Sequence, residues 1–124
     1  MSGLFSVKGI KVGYSTLGGR GVFASKNFIK NDTVECCPYI LVYHEECKGK
    51  MEDYVFMHDD HCHAVVLGYG MLYNHSSRPN IYHTSSLKYP DFYEFKAKKD
   101  IVKGEELMHD YGKEWWQSRN LISR

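Results

Sequence analysis

The chain of 124 residues fits one domain, 1–124, just large enough to bury a real hydrophobic core. Sixteen basic residues oppose fifteen acidic ones, for a net charge of +1, so the basic face of a dedicated nucleic-acid binder is missing and no direct nucleic-acid binding is expected. The apolar stretches fall far short of a membrane span and the Met1-Ser2-Gly3-Leu4 start is unlike a secretory signal, which together point to an intracellular protein with no membrane partner.

In chain order, Val22-Phe23-Ala24 follows the glycine cluster Gly18-Gly19-Arg20-Gly21 and reads as a short strand after a tight turn. Thr33 to Tyr43, rich in β-branched and aromatic residues, reads as one strand bent near Pro38. Adjacent Cys36 and Cys37 then point to opposite faces, one of them into the core. Lys50 to His58 is predicted as a short helix with Met51, Tyr54 and Val55 on one face. Ala64 to Leu67 is an apolar strand, and Gly68 and Gly70 flank Tyr69 in a loop or bulge. Tyr89-Pro90-Asp91 turns the chain into a strand over Phe92 to Ala97.

Ile29-Lys30-Asn31-Asp32-Thr33-Val34 echoes Val102-Lys103-Gly104-Glu105-Glu106-Leu107. Both read as turns that launch strands of one small sheet system, with Asn or Gly where a positive φ is needed. The four cysteines, Cys36, Cys37, Cys47 and Cys62, make no CxxC pair. That argues against a zinc ribbon or finger and for reduced thiols. The run His58-Asp59-Asp60-His61-Cys62-His63 holds metal-ligand residue types but has no second cluster at ligand spacing, so a polar loop is expected and no metal.

Three segments carry chemistry. Gly18 to Ala24 offers a backbone that a ligand can approach closely, although taken alone it is equally a hairpin turn. Tyr73-Asn74-His75-Ser76-Ser77-Arg78-Pro79-Asn80 packs donors and acceptors into a loop closed by proline, a grip for a polar cofactor or simply a turn. Gly104-Glu105-Glu106-Leu107-Met108-His109-Asp110-Tyr111-Gly112 reads as a closing strand that delivers Tyr111 to a turn, with Trp115 and Trp116 beyond it.

In this order and spacing the three segments resemble the SET-domain lysine methyltransferases, from about Lys8 to Trp116. The likeness is greatest to the minimal stand-alone histone H3 methyltransferases of large DNA viruses of algae. It implies a mostly β fold of several small sheets, few short helices, a C-terminal pseudoknot, and no pre-SET or zinc-binding post-SET module.

It also implies S-adenosylmethionine as cofactor, held by Gly19, Arg20, Gly21, Asn74 and His75, with Trp116 as a lid. Tyr111 is implied as the catalytic tyrosine, and Tyr54 and His109 as walls of the substrate lysine channel. His109 stands where many relatives carry Phe or Tyr, which leaves the degree of methylation open. The implied substrate is the histone H3 tail at an Ala-Arg-Lys-Ser lysine linked to transcriptional silencing. The implied assembly is a homodimer, acting in a host nucleus. An inactive interaction module of the same fold, or a methyltransferase of another protein, is the alternative.

Overall fold

The computed structural model describes residues 9–112, built almost entirely from short strands. In chain order these are β1 (Ile10–Tyr14), β2 (Arg20–Ala24), β3 (Thr33–Tyr43), β4 (Phe56–Met57), β5 (Cys62–Val66), β6 (Asn74–His75), β7 (Ile81–Ser85), β8 (Phe92–Ala97) and β9 (Glu106–His109). They form two sheets, with strand orders β1-β2-β9-β6 and β4-β5-β3-β8-β7. No helix among the described residues is long and apolar enough to cross a membrane.

The second sheet is organised by the two-residue period of its strands. Along β8, Tyr93, Phe95 and Ala97 are buried while Glu94 and Lys96 face outward. β3 is central, and it changes partner at Pro38: Thr33 to Pro38 pair with β8, whereas Tyr39 to Tyr43 pair with β5. Proline has no N–H to give the ladder, so the bend falls where one partner ends and the next begins. Cys37 is fully buried and Cys36 only partly, as their opposite faces require, and all four cysteines are free thiols. The core joins the sheets, with Val22, Ala24 and Leu107 from the first packed among Ile81, Phe95 and Ala97 from the second.

Two sequence expectations are corrected. The helix over Lys50 to His58 is a single 3-10 segment, Gly49–Asp53, followed by the edge strand β4. Met51 and Tyr54 stay 42% and 37% exposed, so an apolar helical face there had no core to dock on. Instead Phe56 and Met57 pair with Ala64 and His63 of β5.

The two echoing turns do carry positive φ at the matching positions, Asn31 at 76° and Gly104 at 99°. The strands they launch, β3 and β9, belong to different sheets. The turns lie back to back: Phe28 bridges Ile101, Asn27 Oδ1 accepts the Lys103 N–H at 2.8 Å, and Asp100 Oδ1 accepts the Lys30 N–H at 2.9 Å. The strands diverge from that joint.

The Asn74 to Asn80 loop and β9 hold each other along their length. β6 pairs in parallel with β9, Asn74 opposite Met108 and His75 opposite His109. The Ser76 N–H donates to the His109 carbonyl at 3.1 Å, and the Asn80 N–H to the Met108 carbonyl at 3.1 Å. The buried Asn80 side chain adds two bonds, Nδ2 donating to the Glu106 carbonyl at 2.8 Å and Oδ1 accepting the Met108 N–H at 2.9 Å. A side chain that reads both a donor and an acceptor of one strand fixes its register.

Asn80→Ala leaves both β9 groups unsatisfied and is expected to cost about 1–3 kcal/mol. Thermal melts should fall by roughly 5–20 °C. A melt unchanged from wild type would show that the loop does not depend on this side chain.

Candidate active site

The chemistry-bearing side chains are distributed by the two faces of β9. Glu106 and Met108 point to one face, Leu107 and His109 to the other. Phe23 pairs with Glu106, Val22 with Leu107, and Asn74 with Met108, so β2 and β6 add their side chains to the same two faces.

On the Glu106 face, one carboxylate gathers three segments. Its Oε1 accepts the Ser15 hydroxyl at 2.7 Å and its Oε2 accepts the Asn74 Nδ2–H at 2.7 Å. Asn74 Nδ2 also donates to the Arg20 carbonyl at 3.0 Å. A Cβ at Gly21 would overlap the Glu106 carboxylate and crowd Asn74, so only glycine lets these groups meet. Gly19, by contrast, faces open space, its φ of 68° turning backbone outward beside this cluster. With both Asn74 amide hydrogens engaged, its Oδ1 has no partner among the described residues. The face is rich in acceptors and bare backbone, which fits a cofactor bearing amino groups and positive charge, as S-adenosylmethionine does.

The opposite face opens into a cavity of about 710 Å³, with Tyr54, Phe56, His83, His109 and Tyr111 among its walls. Phe56 stacks on His109, their centroids 5.4 Å apart and planes 10° apart, and His83 meets His109 edge-on at 5.9 Å. Glu52, Asp53 and Asp110, all exposed, add acidic groups to the lining.

Tyr111, two residues beyond β9, is anchored to the two residues that flank Asn74. Its N–H donates to His75 Nδ1 at 3.0 Å, and its hydroxyl donates to the Tyr73 carbonyl at 2.8 Å. Since His75 Nδ1 accepts, its ring carries any neutral-state proton on Nε2. Asp110 Oδ1 lies 3.6 Å from the same Nδ1.

Two of the cavity imidazoles, His109 and His83, are held toward the neutral form. Burial, reinforced by His83 and His75, pushes His109 down to about 3, and its Nδ1 has no hydrogen-bond partner among the described residues. Burial also lowers His83. A wall of neutral rings repels no cation by charge and presents a dry surface.

The structure thus brings Tyr54, His109 and Tyr111 to one cavity, and Arg20, Gly21 and Asn74 to one polar cluster. His75 lies nearby but is buried, its Nδ1 committed to the Tyr111 backbone. Trp116 and Trp115 lie outside the described residues. Sequence reasoning overlooked Glu106 as the hub and His83 as a cavity wall. Glu106 sat in a quoted motif, but His83 lies in a strand with no local signal. In the His58 to His63 run, Asp59 Oδ1 accepts the N–H groups of His61 and Cys62 at 2.8 Å, and His58 Nδ1 lies 2.8 Å from the Tyr93 hydroxyl. Among the described residues no group of three or more His, Cys, Asp or Glu is arranged to hold a metal.

Comparison with known proteins identifies the family. The SET domain profile matches residues 19–112. A Schizosaccharomyces pombe histone-lysine N-methyltransferase, specific for H3 lysine-37, is 25% identical over 103 residues, which is 79% of this chain and 69% of that protein. A crystal structure from Plasmodium falciparum, of a protein provisionally described as a histone methyltransferase, superposes with a TM-score of 0.73 at 34% identity. It covers 88% of this chain and 97% of that one.

The neutral His109 makes the fold sensitive to acid. Above pH 6.5, the ordinary value, both folded and unfolded chains leave it uncharged, and its burial carries no ionisation penalty. Between 6.5 and about 3 only the unfolded chain binds the proton, so stability falls as pH falls through that window. The loss should reach about 2 kcal/mol by pH 5. Melting curves from pH 7 to 5 should be shallower for His109→Phe than for wild type; parallel curves would refute the buried neutral imidazole.

Proposed function

The chain belongs to the SET-domain family, and from that premise we propose that it is a protein lysine methyltransferase that uses S-adenosylmethionine and acts on the histone H3 tail. The observation that carries this reading is that Tyr111 lines the cavity just beyond β9, a strand whose two faces are differently built. One is an acceptor-rich polar cluster and the other a cavity with aromatic walls, and Tyr111 bonds to Tyr73 and His75, on either side of Asn74.

S-adenosylmethionine, when bound, supplies an electrophilic methyl group on a sulfonium. Gly19, Arg20 and Gly21 offer it backbone, and Asn74 offers its free carbonyl oxygen, while Trp116 is assigned as a lid by the resemblance. On the other face, a lysine side chain enters beside Tyr54 and passes the Phe56, His83 and His109 rings. Its amine, with an ordinary pKa of about 10.4, must shed a proton before it can attack. The stretch of wall formed by the Phe56, His83 and His109 rings carries no negative charge and disfavours the ammonium form, which favours that loss. Tyr111 orients the amine through its hydroxyl, which the Tyr73 carbonyl holds in place. Alignment at attack distance then provides much of the acceleration.

The acidic lining at Glu52, Asp53 and Asp110 favours a basic peptide, and the S. pombe relative acts on histone H3. We assign the target to an Ala-Arg-Lys-Ser lysine and the outcome to transcriptional silencing in a nucleus, by resemblance to the viral stand-alone enzymes. The same resemblance supports a homodimer, and turnover is proposed to be metal-independent because the displacement needs no Lewis acid. Light scattering during turnover should give a dimer mass, and a fully active monomer would contradict that assembly.

Tyr111→Phe removes one hydroxyl and keeps the ring. Turnover should fall on the order of a hundredfold, with a near-normal melt and unchanged cofactor affinity. Asn74→Ala should instead weaken cofactor binding first. A Phe variant that transfers methyl groups at the wild-type rate would take Tyr111 out of the chemistry, and an absence of S-adenosylmethionine binding would favour the interaction module.

A further inference from the structure

Glu35 of β3 is the one buried acidic side chain among the described residues, 5% exposed, and the proposed chemistry does not use it. No basic side chain among the described residues lies within ion-pair distance of it. Two donors converge on it instead. Oε1 accepts the Tyr73 hydroxyl at 2.6 Å and Oε2 accepts the Tyr69 N–H at 2.9 Å. Burial and the carboxylate itself raise both the Tyr73 phenol and the Cys37 thiol, so both keep their protons and the Tyr73 hydroxyl donates. Gly68 completes the fit, since a Cβ there would stand 2.6 Å from Oε2, at a φ of 68°.

An apolar residue would fill this volume with no carboxyl to desolvate. What the carboxyl adds is direction: two of its bonds hold the Tyr69 to Tyr73 segment, which runs straight into β6. The last residue of that segment is Tyr73, whose own carbonyl receives the Tyr111 hydroxyl at 2.8 Å. A buried polar network that is fully satisfied specifies position more sharply than apolar packing does.

We propose that Glu35 is a positioning residue for Tyr111, acting by locking Tyr73 and thereby the carbonyl that receives the Tyr111 hydroxyl. This rests on the methyltransferase reading for its effect on rate, but the geometry can be tested without turnover. Glu35→Gln keeps the volume and leaves one acceptor for two donors.

With tyrosines labelled with carbon-13 at Cζ, the Tyr111 signal is assigned by its loss in Tyr111→Phe. In the cofactor-free protein that signal should shift in Glu35→Gln, while the signal of Tyr14, 89% exposed, stays in place. Turnover per folded molecule should drop on the order of tenfold, with the KM for S-adenosylmethionine unchanged. In the Tyr111→Phe background the same substitution should change turnover no further, because both act through one hydroxyl.

A lower melting temperature with an unmoved Tyr111 signal and wild-type turnover would make Glu35 a fold anchor only and overturn the proposal. If Glu35→Gln does not fold, Tyr73→Phe removes a single bond of the same chain, and the Tyr111 signal must shift there too or the proposal fails. A wild-type protein that methylates no lysine peptide would sink the activity reading, while the Tyr111 signal would still decide the positioning role.

Discussion

The parallel pairing of β6 with β9 is the constraint on which the site depends. A strand points successive side chains to opposite faces. Four residues, Glu106 to His109, therefore supply the hub of a polar cluster and the wall of an apolar cavity within one short element. β6 adds Asn74 to the first face, and β2 brings Gly21 and Arg20 there. One residue of slip would exchange the faces and put Glu106 into the core. The Asn80 side chain, bonded to the backbone of both Glu106 and Met108, guards against that slip from outside the pair.

The same pairing explains why the site can tolerate buried polar groups. His75 is satisfied by Tyr111, Asn80 by β9, and Glu35 by Tyr69 and Tyr73, so most of the buried polar side chains are consumed in holding one another. His109 is an exception, with a buried Nδ1 that no described residue meets, as is true of His63 Nδ1. An unsatisfied buried group of this kind costs about 1–3 kcal/mol. In the proposed reading it stands in the wall of the lysine channel, where a ligand can offer what the protein does not.

Two strands were legible end to end because composition and period agree there. Thr33 to Tyr43 and Phe92 to Ala97 appear as read, the first changing partner at Pro38 and the second preceded by the Asp91 turn at a φ of 61°, whereas the strand read as Ala64 to Leu67 runs Cys62–Val66. The helix over Lys50 to His58 failed because apolar spacing is a promise of burial, and the fold left Met51 and Tyr54 half open. Tyr54, His109 and Tyr111 were named from motif resemblance and do meet at one cavity. The partners that hold them were not legible. Glu35 reaches Tyr73 across 38 positions and Ser15 reaches Glu106 across 91, separations that no local pattern encodes.

In the proposed reading the two faces of β9 are separate binding sites that meet at Tyr111. Nuclear magnetic resonance titration of the cofactor-free protein tests this directly, with S-adenosylhomocysteine in one series and an unmethylated H3-tail peptide in the other. The first ligand should move signals of Gly19, Gly21 and Asn74, and the second those of Tyr54, His83 and His109. Tyr111 should respond to both, and saturation with one ligand should leave room for the other. Two ligands that displace each other, or that perturb one and the same set of residues, would contradict the account.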